Sequence, residues 1–153
     1  NRESDITESE FVDFCLLGEG EEIFKKLDTK MTAIAIRSRN KVPDGVDKDG
    51  MHVDRMLTNP NWWCNGFWGG LNCMLYDYTK NEEYLKTAKA SEKGMDEAFL
   101  DFNRLHHDVG FMWHILSGAN YKLTGDKSSR NRNLIAAMSL MSRYNVEGDY
   151  IRC

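Results

Sequence analysis

The chain of 153 residues is poor in proline, with only 2, and it contains no apolar run long enough to span a membrane. Proline lacks a backbone N–H and interrupts helices, so its scarcity favours long helical segments. Lys, Glu, Ala and Leu, which are good helix formers, occur throughout the chain. Hydrophobic residues make up 41% and charged residues 29%, as in ordinary globular proteins. The composition therefore predicts one all-α domain over residues 1–153, with a sizeable core.

An excess of positive charge is also lacking, because 24 acidic residues outnumber 20 basic ones and the net charge is −4. We expect neither nucleic acid nor a membrane as a partner. The four cysteines include no C-x-x-C pair, and Cys64 and Cys73 would lie on opposite sides of a continuous helix. We expect no metal site and no cofactor. Free thiols favour a cytoplasmic location, and a leader removed before Asn1 keeps a periplasmic or secreted location open.

Apolar residues recur at helical spacing in several segments. A short helix is predicted around Phe11 and Leu17, and an amphipathic helix from about Glu21 to Arg39. Residues 40–61 contain both prolines and many Asp residues, which predicts a long ordered loop. Four further helices are predicted over residues 65–78, 84–99, 108–123 and 128–144. Breaks at residues 79–81 and 124–126 would fold these four helices into two hairpins.

The two predicted hairpins form an internal repeat. Gly66 and Gly110 are 44 residues apart, whereas Tyr76 and Tyr121 are 45 apart. Helical pairs of this kind cannot bury an apolar face alone, so they stack into a solenoid or close into a toroid. In a toroid the loops before the inner helices meet at one mouth. Because Trp63 and Asp108 both lie just before an inner helix, the repeat predicts that they face one site.

Asp108 follows two histidines and begins an apolar segment, where an ionisable side chain suggests a catalytic role. The alternative role is a helix N-cap, and one Asp can fill both roles. Trp63 belongs to a cluster of aromatic residues that flat sugar rings could stack on or that could fill the core. The cluster consists of Trp62, Trp63, Phe67 and Trp68.

Three motifs carry a resemblance to a known family: Trp63-Cys64-Asn65-Gly66-Phe67-Trp68-Gly69-Gly70, Tyr76-Asp77-Tyr78-Thr79 leading to Glu83-Tyr84, and His106-His107-Asp108-Val109-Gly110-Phe111. Through them residues 60–152 resemble the unsaturated glucuronyl hydrolases, glycoside hydrolase family 88. The chain resembles the sister family, which acts on unsaturated galacturonyl rhamnose, less strongly. The resemblance implies an (α/α)6 barrel that removes a 4,5-unsaturated uronic acid from the non-reducing end of lyase-generated oligosaccharides, such as unsaturated chondroitin or hyaluronan disaccharides.

The resemblance also implies roles for single residues. Asp108 matches the first of two catalytic aspartates, His107 matches a neighbouring substrate-binding residue, and Trp63 matches an aromatic platform under the unsaturated ring. The second aspartate lies, in the family, after the segment matched by Tyr150-Ile151-Arg152. The chain is therefore expected to be the N-terminal portion of a barrel, at most half of it. Alone, it is expected to have little or no activity and to self-associate through the exposed apolar edge of its last hairpin.

Two other functions fit the repeat. A non-catalytic helical-repeat binding module would use the aromatic and Met residues as a partner groove, with Asp108 only capping a helix. An inactive sugar-binding paralogue would bind the disaccharide without consuming it. We interpret His106 and His114 as structural, because they have no further ligands that would make a metal site.

Overall fold

The computed structural model describes residues 19–153 of the chain. The chain divides into two compact units, one ending at Ile34 and the other comprising Ala35–Cys153. Helix α1, Glu19–Arg37, confirms the amphipathic helix predicted for this region. The short helix predicted around Phe11 lies outside the described residues, and the single domain over residues 1–153 stays a prediction. All other elements belong to the second unit.

The prediction of a long loop over residues 40–61 is wrong, because a β-hairpin forms there. Strands β1, Pro43–Val46, and β2, His52–Asp54, pair in antiparallel orientation. Asp47 organises the turn, since its Oδ1 accepts hydrogen bonds from the backbone N–H groups of Asp49 and Met51, each at 2.9 Å. A one-turn helix α2, Arg55–Thr58, follows directly. This hairpin leads the chain to the turn that precedes the first long helix of the repeat.

The first helical hairpin of the repeat consists of α3, Asn65–Thr79, and α4, Glu82–Gly94. Two short 3₁₀ helices, Met95–Leu100 and Phe102–Arg104, lead away from it. The second hairpin begins with a π-helix, Gly110–Gly118, which continues as α5, Ala119–Thr124, and returns as α6, Lys127–Met141. A small hairpin of β3, Tyr144–Asn145, and β4, Tyr150–Ile151, follows. The prediction of two helical hairpins is confirmed.

The same turn chemistry closes both hairpins. In each, a Thr hydroxyl accepts a hydrogen bond from the backbone N–H two residues later, from Asn81 in the first and Asp126 in the second. That second residue then caps the following helix with its side-chain oxygen. Between the Thr and the capping residue lies one residue with a left-handed backbone, Lys80 with φ 56° in the first hairpin and Gly125 with φ 72° in the second. The repeat seen in the sequence is therefore also a repeat of local structure.

The core of the second unit lies between the two hairpins, where Trp113 of the π-helix is fully buried and stacks on Phe99 with ring centroids 3.9 Å apart. A buried polar group also joins the hairpins. Glu92 of α4 is only 2% exposed, and its Oε2 accepts hydrogen bonds from Asn120 Nδ2 and Ser129 Oγ, each at 2.9 Å. Donors from the second hairpin thus offset the cost of burying this carboxyl group.

Glycines allow the backbones of α3 and the π-helix to touch. A Cβ on Gly66 would overlap the carbonyl oxygens of Phe111 and Met112, and a Cβ on Gly70 would lie 2.9 Å from the carbonyl oxygen of Ile115. Only a residue without a side chain fits at such a contact. The contact at Gly66 is at the first turn of both helices. It therefore fixes the N-terminal ends of the two inner helices next to each other.

Candidate functional site

Trp63 and Asp108 occupy the turns that enter α3 and the π-helix. Phe111 connects the two turns. Its ring centroid lies 5.9 Å from that of Trp63, and its backbone N–H donates a 2.8 Å hydrogen bond to the carbonyl oxygen of Asp108. The structure therefore brings Trp63 against the segment that carries Asp108. We refer to this region, with His107, as the entrance site.

Three aromatic rings form one exposed cluster at the entrance site. Trp63 meets Phe67 edge to face with centroids 5.8 Å apart, and Phe67 and Phe111 stack at 6.0 Å with an interplanar angle of 25°. Trp63 remains 38% exposed, and both phenylalanines are more exposed than that. Such exposure favours a ligand platform over the alternative role of filling the core.

The Asp108 carboxylate is partly exposed, at 26% of its side chain, and it does not cap the helix that follows. The π-helix has Val109 at its N-cap and no side-chain hydrogen bond there, so the capping role is not realised by the carboxylate. Only the backbone carbonyl of Asp108 accepts from the helix, from the N–H groups of Phe111 and Met112. The two carboxylate oxygens instead face His106 Nδ1 and His107 Nε2, each at 3.4 Å.

His107 lies between this carboxylate and a cavity of about 650 Å³. Its imidazole is more exposed than that of His106, so it faces solvent as well as Asp108 Oδ1. The cavity runs between the start of the π-helix and α6, and its lining is mostly apolar. Its lining residues are His107, Gly110, Phe111, His114, Ile115, Asn133, Ala136, Ala137 and Leu140. A cavity of this size is in the range that holds a small ligand.

His106 has bonds to backbone atoms at both ring nitrogens. Its Nε2 lies 2.9 Å from the carbonyl oxygen of Asn61, and its Nδ1 accepts a 3.2 Å hydrogen bond from the backbone N–H of Asp108. His114 contacts the side chain of Asn133, with Nδ1 3.3 Å from Oδ1. Within residues 19–153, no cluster of three His, Cys, Asp or Glu side chains is arranged to hold a metal ion. In the same part of the chain, no helix has the length and apolarity needed to cross a membrane.

Phe111 is an entrance-site residue to which the sequence analysis assigned no role of its own. It ends the His106–Phe111 motif, and its ring contacts both Trp63 and Phe67. The signal that could have found it is the repeat, because Phe67 and Phe111 occupy equivalent positions 44 residues apart. Equivalent residues of neighbouring repeat units lie side by side when the units stack.

Known proteins share this arrangement of helices, although no protein-family model matches the chain. An unsaturated glucuronyl hydrolase of Bacillus sp. strain GL1 is 33% identical over 124 residues, which are 78% of this chain and 33% of the relative. An unsaturated chondroitin disaccharide hydrolase of Streptococcus pneumoniae is 32% identical over 91 residues, 59% of this chain and 23% of the relative. A solved unsaturated glucuronyl hydrolase specific for heparin superposes with a TM-score of 0.63 at 26% identity, covering 83% of this chain and 34% of the other.

The fold and the paired entrances define a protein of the helical-hairpin, α/α-barrel class. Within that class the chain is similar, over most of its own length, to unsaturated glucuronyl hydrolases, as the motifs had indicated. It spans about a third or less of the length of the relatives it matches.

Proposed function

We propose that this chain forms part of the active site of an enzyme that removes a 4,5-unsaturated uronic acid from the non-reducing end of an oligosaccharide. In this proposal the unsaturated ring stacks on Trp63, His107 forms a hydrogen bond with the sugar, and Asp108 is a catalytic carboxyl group. The observation that carries the proposal is the entrance site itself. There an exposed indole and a partly exposed carboxylate, which makes no capping bond to the helix, are held on neighbouring turns.

The reaction is hydration of a vinyl ether rather than direct displacement at the glycosidic carbon. A carboxylic acid protonates the double bond at C4, and water then adds at C5 and loses its proton to a carboxylate. The hemiketal that results opens and releases a keto sugar acid and the remaining oligosaccharide. The resemblance assigns this work to two aspartates, of which Asp108 is the first. A carboxylate without a capping bond is free to serve as one of the two.

Unsaturated chondroitin or hyaluronan disaccharides are the substrates that we propose, since relatives are named unsaturated chondroitin disaccharide hydrolases. Unsaturated galacturonyl rhamnose is the alternative substrate. Such disaccharides are small enough for a cavity of about 650 Å³ next to His107. We further propose a cytoplasmic location, which the free thiols of Cys64, Cys73 and Cys153 support.

The test measures binding and consumption of the unsaturated chondroitin disaccharide separately. Quenching of tryptophan fluorescence reports binding to the 153-residue chain, and loss of the ultraviolet absorbance of the double bond reports consumption. We expect saturable binding that Trp63→Ala weakens. Consumption by this chain is expected to be small, and any that is measured should be lost in Asp108→Asn.

Asp77→Asn is the matched control for Asp108→Asn, because Asp77 lies at the far end of α3 and pairs with Lys80 on the surface. It should leave binding and consumption unchanged. Binding that neither Trp63→Ala nor Asp108→Asn alters would contradict the proposed site and favour a binding module with another surface.

A further inference from the structure

The imidazole of His106 connects the two turns of the entrance site. At one end of the ring, Nε2 lies 2.9 Å from the carbonyl oxygen of Asn61, two residues before Trp63. At the other end, Nδ1 lies 3.2 Å from the backbone N–H of Asp108. One side chain therefore contacts the backbone beside the aromatic platform and the backbone of the carboxylate residue.

These two contacts determine where the imidazole proton is. A backbone N–H can only donate, so Nδ1 of His106 must be the acceptor of the bond from Asp108. A backbone carbonyl can only accept, so Nε2 must carry the proton that is donated to Asn61. Because Nδ1 has no proton in this arrangement, His106 cannot also donate to the Asp108 carboxylate. Of the two neighbouring histidines, only His107 is left to donate a hydrogen bond to it.

The turn that His106 holds is itself well fixed. Asn61 is buried, and its side-chain amide donates to the carbonyl oxygen of Ala98 at 3.5 Å. Arg104 donates to Asn59 Oδ1 at 3.1 Å. The contacts of Asn59 with Arg104 and of Asn61 with His106 both join residues 45 positions apart. The two entrance segments are thus bonded directly to each other at two places.

We propose that His106 is a positioning residue that holds the Trp63 turn and the Asp108 backbone in one fixed arrangement, so that the indole and the carboxylate reach the same pyranose. The proposal rests on the proposed function, since the pyranose is the ligand assigned there. It goes beyond the structural role that the sequence suggested for His106. The residue acts through Asp108 and Asn61 and does not itself contact the sugar.

The first test needs no sugar. Long-range ¹H–¹⁵N spectra of the histidine rings should show His106 as the tautomer with its proton on Nε2. The amide of Asp108 should exchange slowly with solvent in the wild-type chain and quickly in His106→Ala. Asn reproduces an acceptor near the Nδ1 position, because Asn side chains bond to the backbone N–H two residues later. His106→Asn should therefore keep the slow exchange at Asp108, whereas His106→Gln, which reaches only the Nε2 position, should lose it.

The second test measures affinity for the unsaturated chondroitin disaccharide. We expect His106→Ala to weaken binding about tenfold, and His106→Asn and His106→Gln to weaken it less, since each keeps one of the two bonds. His52→Ala is the control, because His52 lies in β2 and contacts the carbonyl oxygen of Gly45. It should bind as the wild type does.

The two tests separate the two proposals. A proton on Nδ1 of His106, or slow Asp108 exchange that persists in His106→Ala, would overturn the positioning role whatever the sugar does. Unchanged disaccharide affinity in His106→Ala, with a wild-type chain that binds, would overturn it too. Failure of the wild-type chain to bind the disaccharide would contradict the proposed function, and the ring spectra and amide exchange would still decide whether His106 holds the two turns together.

Discussion

Trp63 contacts three neighbouring rings, those of Trp62, Phe67 and Phe111, yet keeps more than a third of its surface exposed. We expect Trp63→Ala to weaken binding of the unsaturated disaccharide about tenfold, or about 1.4 kcal/mol, because the apolar face of the sugar loses its platform. Isothermal titration calorimetry measures the change. Tyr78→Ala is the control, since Tyr78 is also an exposed aromatic residue but lies at the far end of α3. Equal losses in both variants would mean that Trp63 has no special contact with the sugar.

Cys73 is buried in the core cluster, and burial, together with the nearby Glu92 carboxylate, raises the pKa of its thiol to about 12. In the unfolded chain the same thiol ionises near its usual 9.0. Between these two values the unfolded state binds fewer protons than the folded state, so the free energy of unfolding falls as the pH rises. Below pH 9 the thiol is protonated in both states, so its titration costs no stability there. Above pH 9 we expect the free energy of unfolding to fall by up to about 1.4 kcal/mol for each pH unit.

Urea denaturation at pH 8 to 11 tests the Cys73 contribution. Cys73→Ala should lose stability less steeply over this range than the wild type. Cys153→Ala, at an exposed position, should follow the wild type. Parallel curves for the wild type and Cys73→Ala would show that the thiol does not titrate as described.

Single motifs were enough to predict Asp108, His107 and Trp63 as candidate residues, because each stands in a recognisable local pattern. The same motifs could not show that the carboxylate leaves the helix uncapped, since a capping bond depends on backbone geometry. They also could not show the bonds of His106 to Asn61. That contact joins residues 45 positions apart and exists only once the two hairpins have packed.

Helix α3 and the π-helix depend on glycine where they touch. We expect Gly66→Ala to lower the free energy of unfolding by about 3 kcal/mol, because the added methyl group meets backbone carbonyls that cannot move without separating the helices. Chemical denaturation measures this loss. Gly110→Ala is the control, since a Cβ there has nothing within 4 Å, and it should change stability by less than about 1 kcal/mol. Similar losses in both variants would rule out the steric explanation.

Helical periodicity and turn chemistry predicted α1 and the two hairpins, including both breaks. The β-hairpin at residues 43–54 was missed, because Gly and Asp residues there are typical of loops and the strand pairing involves no alternation of apolar residues. The π-helix was also missed. Its sequence is apolar on nearly every side, so the spacing of apolar residues does not distinguish a π-helix from an α-helix.

At the scale of the whole molecule, α6 carries a run of large apolar side chains that are exposed in the described part of the chain. These side chains are Leu134, Ile135, Met138 and Met141. Apolar surface of this extent favours association. We expect the chain to self-associate, with an average mass that rises with concentration in sedimentation velocity experiments.

The double variant Met138→Lys with Met141→Lys should shift this association to higher concentration, by about tenfold. A matched control is Met51→Lys with Leu57→Lys, which places the same charges on exposed apolar positions outside α6. A wild-type chain that stays monomeric at high concentration, or a control that acts like the α6 variant, would contradict an interface at α6.

The π-helix accounts for the irregular spacing of the repeat. Gly66 and Tyr76 are 10 positions apart, whereas Gly110 and Tyr121 are 11 apart. A π-helix takes one more residue per hydrogen-bonded turn than an α-helix, so the second helical hairpin accommodates an inserted residue without lengthening its loops. Deleting one residue inside Gly110–Gly118 would rewind the segment and rotate the preceding turn by about 100° about the helix axis. The direction in which the Asp108 carboxylate points is therefore set by the number of residues in a helix that follows it.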